Sequence, residues 1–294
     1  MIAGWSDKHL LEMLGGEPDY FFSCVCPDLI VYINKMKRVY IVFILLFLFS
    51  INGLYAQNED WQNNCKSTKV VGNLKFTFPS EVVISDRDYY IQQSINSIKE
   101  CLTVIKETNF IDSITVEFFN NREDMKKYLG YPASGMAFPD RKTMFCVVAE
   151  KTPIKHEWAH MVTMLTWGYP ARTLIWLNEG LATYIDNCSK YSREEIYAYF
   201  IKSNKLIGID DLVYNFQNQD DVIAYYQASY LVEYLISKYD INKLKSLWQS
   251  DINNFEEIYG VSFANFTEEI RNNLQEKYPA TIDLDWEELK KGCY

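Results

Sequence analysis

Residues 154–160 read Ile-Lys-His-Glu-Trp-Ala-His, which places His156 and His160 four apart with Glu157 next to the first. On a helix both imidazoles project from one face a turn apart and can reach one metal ion. Glu157 then lies about 100° round the helix, where its carboxylate meets a water on the metal and not the metal itself. Two ligands and a base are the parts needed for metal-assisted hydrolysis. A catalytic zinc takes three protein ligands and keeps a fourth position open. The sequence holds three histidines, and the remaining one, His9, lies in the N-terminal leader. The third ligand must therefore be a carboxylate or a thiolate. Trp176-Leu177-Asn178-Glu179-Gly180-Leu181-Ala182-Thr183-Tyr184 supplies a carboxylate in Glu179, flanked by apolar positions. Asp186, two turns beyond Glu179, is the candidate to hold the other ring nitrogen of a ligand histidine, and Asn178 is expected among the residues around the ligands. A plain surface aspartate is the competing reading of Asp186.

These residues need two helices that pack against each other. The apolar pattern predicts helices over Ile154–Thr166 and Leu174–Asn187, with Gly168-Tyr169-Pro170 ending the first and letting the second fold back. Further helices are expected at Ser192–Ser203, Asp220–Tyr239 and Ala264–Tyr278. Before residue 150 the texture is mixed. Strands are expected at Val70–Phe78, Ile114–Phe119, Ser134–Phe138 and Lys142–Val148, with helices at Tyr89–Glu107 and Arg122–Tyr128. The fold class that follows is α+β: a small mixed sheet with helices, residues 57–150, then a mostly helical half, residues 151–294, with the site in the cleft between them.

Val39–Ile51 is an uninterrupted apolar run after Met36-Lys37-Arg38 and before Ala56. It is short for a membrane span and suits a signal peptide over residues 36–56. Residues 1–35 are then a mis-called or atypical extension, the alternative being a cytoplasmic extension with an uncleaved anchor. The chain is expected to be exported, to the periplasm, cell surface or medium, with no stable membrane span after cleavage. Cys65, Cys101, Cys146, Cys188 and Cys293 would remain, with no Cys-x-x-Cys spacing and no pairing legible from sequence. The chain is 48% hydrophobic, enough for a sizeable core, and its net charge of −10 argues against nucleic acid as a partner. The oligomeric state is not legible.

The motif His156-Glu157-x-x-His160, with Glu179 inside Asn-Glu-Gly-Leu-Ala-Thr-Tyr and Asp186 after it, resembles the gluzincin metallopeptidases, within them the peptidase MA-like proteins that share a catalytic domain with aminopeptidase N. The resemblance covers roughly residues 110–275 and is most specific over 154–187. It implies a zincin-like, thermolysin-like domain with one zinc ion on His156, His160 and Glu179, and Glu157 as the base that activates the zinc-bound water. Tyr225, in Tyr225-Tyr226-Gln227-Ala228, matches the helix of the family's catalytic tyrosine, with Tyr226 and Tyr230 as alternatives. Phe255–Leu274 looks like the closing helical hairpin.

The aminopeptidases of that clan anchor the substrate amine with a glutamate in a Gly-x-Met-Glu-Asn edge strand. The counterpart here, Gly135, Met136 and Ala137, has no carboxylate. An edge strand still pairs with an extended peptide, so a peptide or protein substrate and endopeptidase action are expected ahead of aminopeptidase action. A non-catalytic exported binding protein on a metallopeptidase fold is the alternative.

Overall fold

In a computed structural model, residues 67–149 and 152–290 are described. They fall within one unit, Asp60–Tyr294. The apolar run, the Ala56 cleavage position, Cys65 and Cys293 lie outside the described residues.

Five strands form a sheet in the order β1-β2-β3-β5-β4: β1 Ser67–Val71, β2 Leu74–Phe78, β3 Ile114–Phe119, β4 Gly135–Phe138 and β5 Thr143–Val147. The β2–β3 and β3–β5 pairs are parallel, while β1–β2 and β4–β5 are antiparallel. The single strand expected at Val70–Phe78 is therefore a hairpin. Gly72, at φ +60°, turns the chain between β1 and β2, a conformation that favours a residue without Cβ.

Helix α1, Ile84–Ile105, starts five residues before the expected Tyr89. Its first turns are polar and Ile84 is exposed, so no apolar period marks them. Arg87 anchors this end by donating from Nε to the Val82 carbonyl at 2.6 Å. Helix α2, Arg122–Leu129, is capped by Asn121, whose side chain accepts from the Asp124 N–H.

All remaining helices follow the sheet. They are α3 Ile154–Trp167, α4 Ile175–Asp186, α5 Arg193–Lys202, α6 Ile209–Tyr214, α7 Asp221–Lys238, α8 Ile241–Trp248, α9 Phe255–Tyr259, α10 Phe263–Lys277 and α11 Trp286–Lys290. The architecture is α+β, a mixed sheet followed by a helical region. One continuous core runs from Phe76, Val116 and Phe118 in the sheet through Trp158 and Trp176 to Trp248 and Phe266. No helix among the described residues is long and apolar enough to cross a membrane.

Two features of the core set the geometry of the site. Helix α3 ends at Gly168, whose φ of +86° redirects the chain, and Trp248 Nε1 donates to the Gly168 carbonyl at 2.7 Å. The chain then returns through a short 3-10 turn, Arg172–Leu174, into α4. Against α4 lies α7, so close that a Cβ on Gly180 would sit 2.7 Å from the Ala228 carbonyl oxygen. Substituting Gly180→Ala should push these two helices apart. A loss of about 1–3 kcal/mol is expected from overpacking, measured as a lower urea midpoint with an unchanged m-value.

Candidate metal centre

The crossing of α3 and α4 brings three donors together. His156 Nε2 and His160 Nε2 lie 3.0 Å apart, and Glu179 Oε2 is 3.3 Å from each. The two histidines are buried, and the three ligand atoms all lie within 4.8 Å of one another. Two imidazole nitrogens and a carboxylate oxygen facing one point can share a proton or a cation between them. The set is right in type and number for an open catalytic site.

His160 Nδ1 is 2.9 Å from Asn178 Oδ1. An amide oxygen only accepts, so this contact places the ring proton on Nδ1 and leaves Nε2 free to bind a cation. Asn178 therefore supports a ligand through its neighbouring position on α4. Asp186 lies on the wall of the same cleft as His156. Burial raises its pKa to about 6, against the nearby charges of Lys155 and Arg193.

Glu157 is buried beside the cluster, and burial together with the Glu179 charge lifts it to about 7. A carboxylate poised there can both take and return a proton near neutral pH. The sheet holds it in place. Val147 N–H donates to the Ser134 carbonyl, which fixes the alternation of the β4–β5 ladder and turns the N–H and C=O groups of Gly135 and Ala137 to the free edge of β4. The Ala137 N–H faces the Glu157 carboxylate and favours its charged form. A Cβ on Gly135 would lie 2.7 Å from Glu157 Cγ and Oε1, so glycine lets the strand pass this close to the carboxylate. Met136 lies between them and lines the cleft.

Helix α7 brings Tyr225 to the cluster. Its ring stacks on His156 with centroids 5.9 Å apart, and it lines a small cavity together with Glu179. Burial, then the charge of Glu179, pushes the phenol well above its usual range, so it stays a donor. Of the two neighbours, Tyr226 packs with Ile196, Phe200 and Leu284 while also reaching the cleft wall. Tyr230 is buried against Tyr197, 4.9 Å between ring centroids. Thr183 and Phe216 were not expected at the site. Thr183 lines the cleft with a buried hydroxyl that has no hydrogen-bond partner, and Phe216 packs on the Tyr225 ring at 5.6 Å. Thr183 sits one turn after Glu179, which was the available sequence signal, whereas Phe216 comes from a 3-10 turn with no motif.

Burial disfavours a charged His160, yet the Glu179 charge and hydrogen bond outweigh it and raise its pKa to about 9. In the metal-free protein this contribution to stability is complete below the ordinary histidine value of about 6.5 and is lost as pH rises through about 9. The raised Glu157 acts in the same direction between its ordinary value and about 7. The Tm of chelated protein should therefore fall between pH 6.5 and 9 by more than that of metal-loaded protein. Differential scanning calorimetry of both forms across that range checks it.

A mixed sheet whose edge strand borders a His-Glu-x-x-His helix, with a glutamate donor from the next helix, defines the class as a zincin-like metallopeptidase domain. The family model of the peptidase MA superfamily matches residues 93–275, and the chain belongs to that superfamily. No significant match is found among curated proteins.

Proposed function

We propose that the chain is an exported zinc endopeptidase. The observation that carries this reading is the convergence of His156, His160 and Glu179 with the buried carboxylate of Glu157 and the free edge of β4. Zinc, when bound, supplies Lewis acidity that lowers the pKa of water and polarises a carbonyl. Glu157 accepts the proton of the attacking water and returns it to the leaving amine. Tyr225, a neutral donor at the cluster, hydrogen-bonds the oxyanion of the tetrahedral intermediate. The Gly135 N–H and C=O and the Ala137 C=O are offered to an extended peptide lying along the edge, while the Ala137 N–H faces Glu157.

Asp186, on the wall of the same cleft as His156, adds negative charge that favours a cation at the cluster. Residues 57–150 and 151–294 form one catalytic unit in two halves, following a signal peptide over 36–56.

Absence of a carboxylate in Gly135-Met136-Ala137 favours endopeptidase over aminopeptidase action. The expected result is cleavage of peptides blocked at both ends and no release from free aminoacyl substrates. Cleavage of aminoacyl substrates alone would reverse the assignment.

A further inference from the structure

The cleft continues past Glu179. The main cavity, about 550 Å³, shares Asp221 and Tyr225 with a smaller one of about 150 Å³. That one shares Ile175, Phe216 and Gln217 with an outer cavity of about 390 Å³. The groove thus extends on both sides of the metal cluster, and its outer arm has a chemistry of its own.

Arg172, Asn215, Gln217 and Asn218 line the outer cavity, and no carboxylate does. Among the described residues the Arg172 guanidinium makes no hydrogen bond and no ion pair. Of the acids that reach this segment, Asp251 is engaged by the Thr173 hydroxyl at 2.7 Å and by the Asn253 N–H, and Asp211 accepts from Asn215 Nδ2 at 3.4 Å. Asn218 Nδ2 donates to Asn215 Oδ1 at 2.5 Å, and each amide keeps a second N–H. An unpaired guanidinium beside side-chain amides is a donor set for a carboxylate.

Its distance from the metal cluster follows from the chain. Three 3-10 steps and four α-helical steps separate Arg172 from Glu179, an axial span of about 12 Å. An extended peptide covers that in about three or four residues.

We propose that the outer cavity is a substrate subsite that holds a carboxylate of the peptide three or four residues from the scissile bond, with Arg172 as its specificity-determining residue. This rests on the peptidase reading above. The carboxylate can come from an aspartate or glutamate side chain or from the peptide's C-terminus.

The test is binding, read by fluorescence anisotropy on zinc-loaded Glu157→Gln protein. The probes are labelled decapeptides carrying glutamate, glutamine or lysine at each position in turn, each as free acid and as C-terminal amide. A glutamate at one or two adjacent positions should tighten binding of the amidated peptide about tenfold over glutamine. A gain confined to free acids assigns the subsite to the C-terminus. Arg172→Gln should erase the gain and leave the neutral peptides unchanged, and Arg172→Glu should transfer the preference to lysine. Equal binding of all peptides, no binding by any, or a preference that survives both variants overturns the subsite. Failure of the peptidase reading is distinguishable, since the wild-type protein would then leave these peptides uncut while the binding preference remained.

Discussion

Substituting Glu157→Gln is expected to lower kcat by about 10²–10⁴-fold with metal content and unfolding midpoint nearly unchanged. Glutamine keeps the shape of the side chain but cannot take up a proton. The Ala137 N–H that faces Glu157 meets an amide oxygen in its place, and Gly135 still leaves room for the side chain. Burial makes the glutamate costly as an anion, so the neutral substitute should hold or slightly raise stability. Activity measured beside metal content by atomic absorption separates a lost base from a lost site. If the variant matched the wild type on every peptide, Glu157 would not be the base.

Removing a ligand has the other large effect. His160→Ala deletes one of three donors and leaves the half-buried Glu179 with one of its two histidine partners. Zinc binding should fall well beyond the 10–100-fold expected for losing only a supporting partner, as in Asn178→Ala. Activity should fall with it in both variants, but Asn178→Ala should recover at high zinc while His160→Ala should not. Competition with a chromogenic chelator measures both affinities. Equal affinity in the wild type and His160→Ala would remove His160 from the ligand set.

The chemistry of the site was more legible than the fold that carries it. His156, Glu157 and His160 share one helix, so their relative placement follows from helical geometry alone, and Glu179 had few competitors in an apolar context. The supporting contacts were harder to read. The partner of His160 Nδ1 is settled by how α4 rotates against α3, and only the packed structure shows Asn178 making that contact. Tyr225 could not be separated from Tyr226 and Tyr230 without knowing which face of α7 meets α4, a face set by the close approach of Gly180 to Ala228.

Among the elements, the long amphipathic helices stood out by period, whereas reading Val70–Phe78 as one strand passed over the two-residue turn signal Gly72-Asn73. Helix α8 carries a stripe of Ile241, Leu244, Leu247 and Trp248, but at eight residues it spans barely two turns. Arg172 carried no signal, because a lone arginine gains meaning only from the cavity around it.

Mass spectrometry of a peptide library tests the central claim most directly, using the same protein as purified, chelated, and restored with one equivalent of zinc. The account predicts internal cleavages that disappear on chelation and return with that single equivalent. Cleavage that persists in the chelated protein, or no cleavage of any peptide by protein holding one zinc, would contradict it.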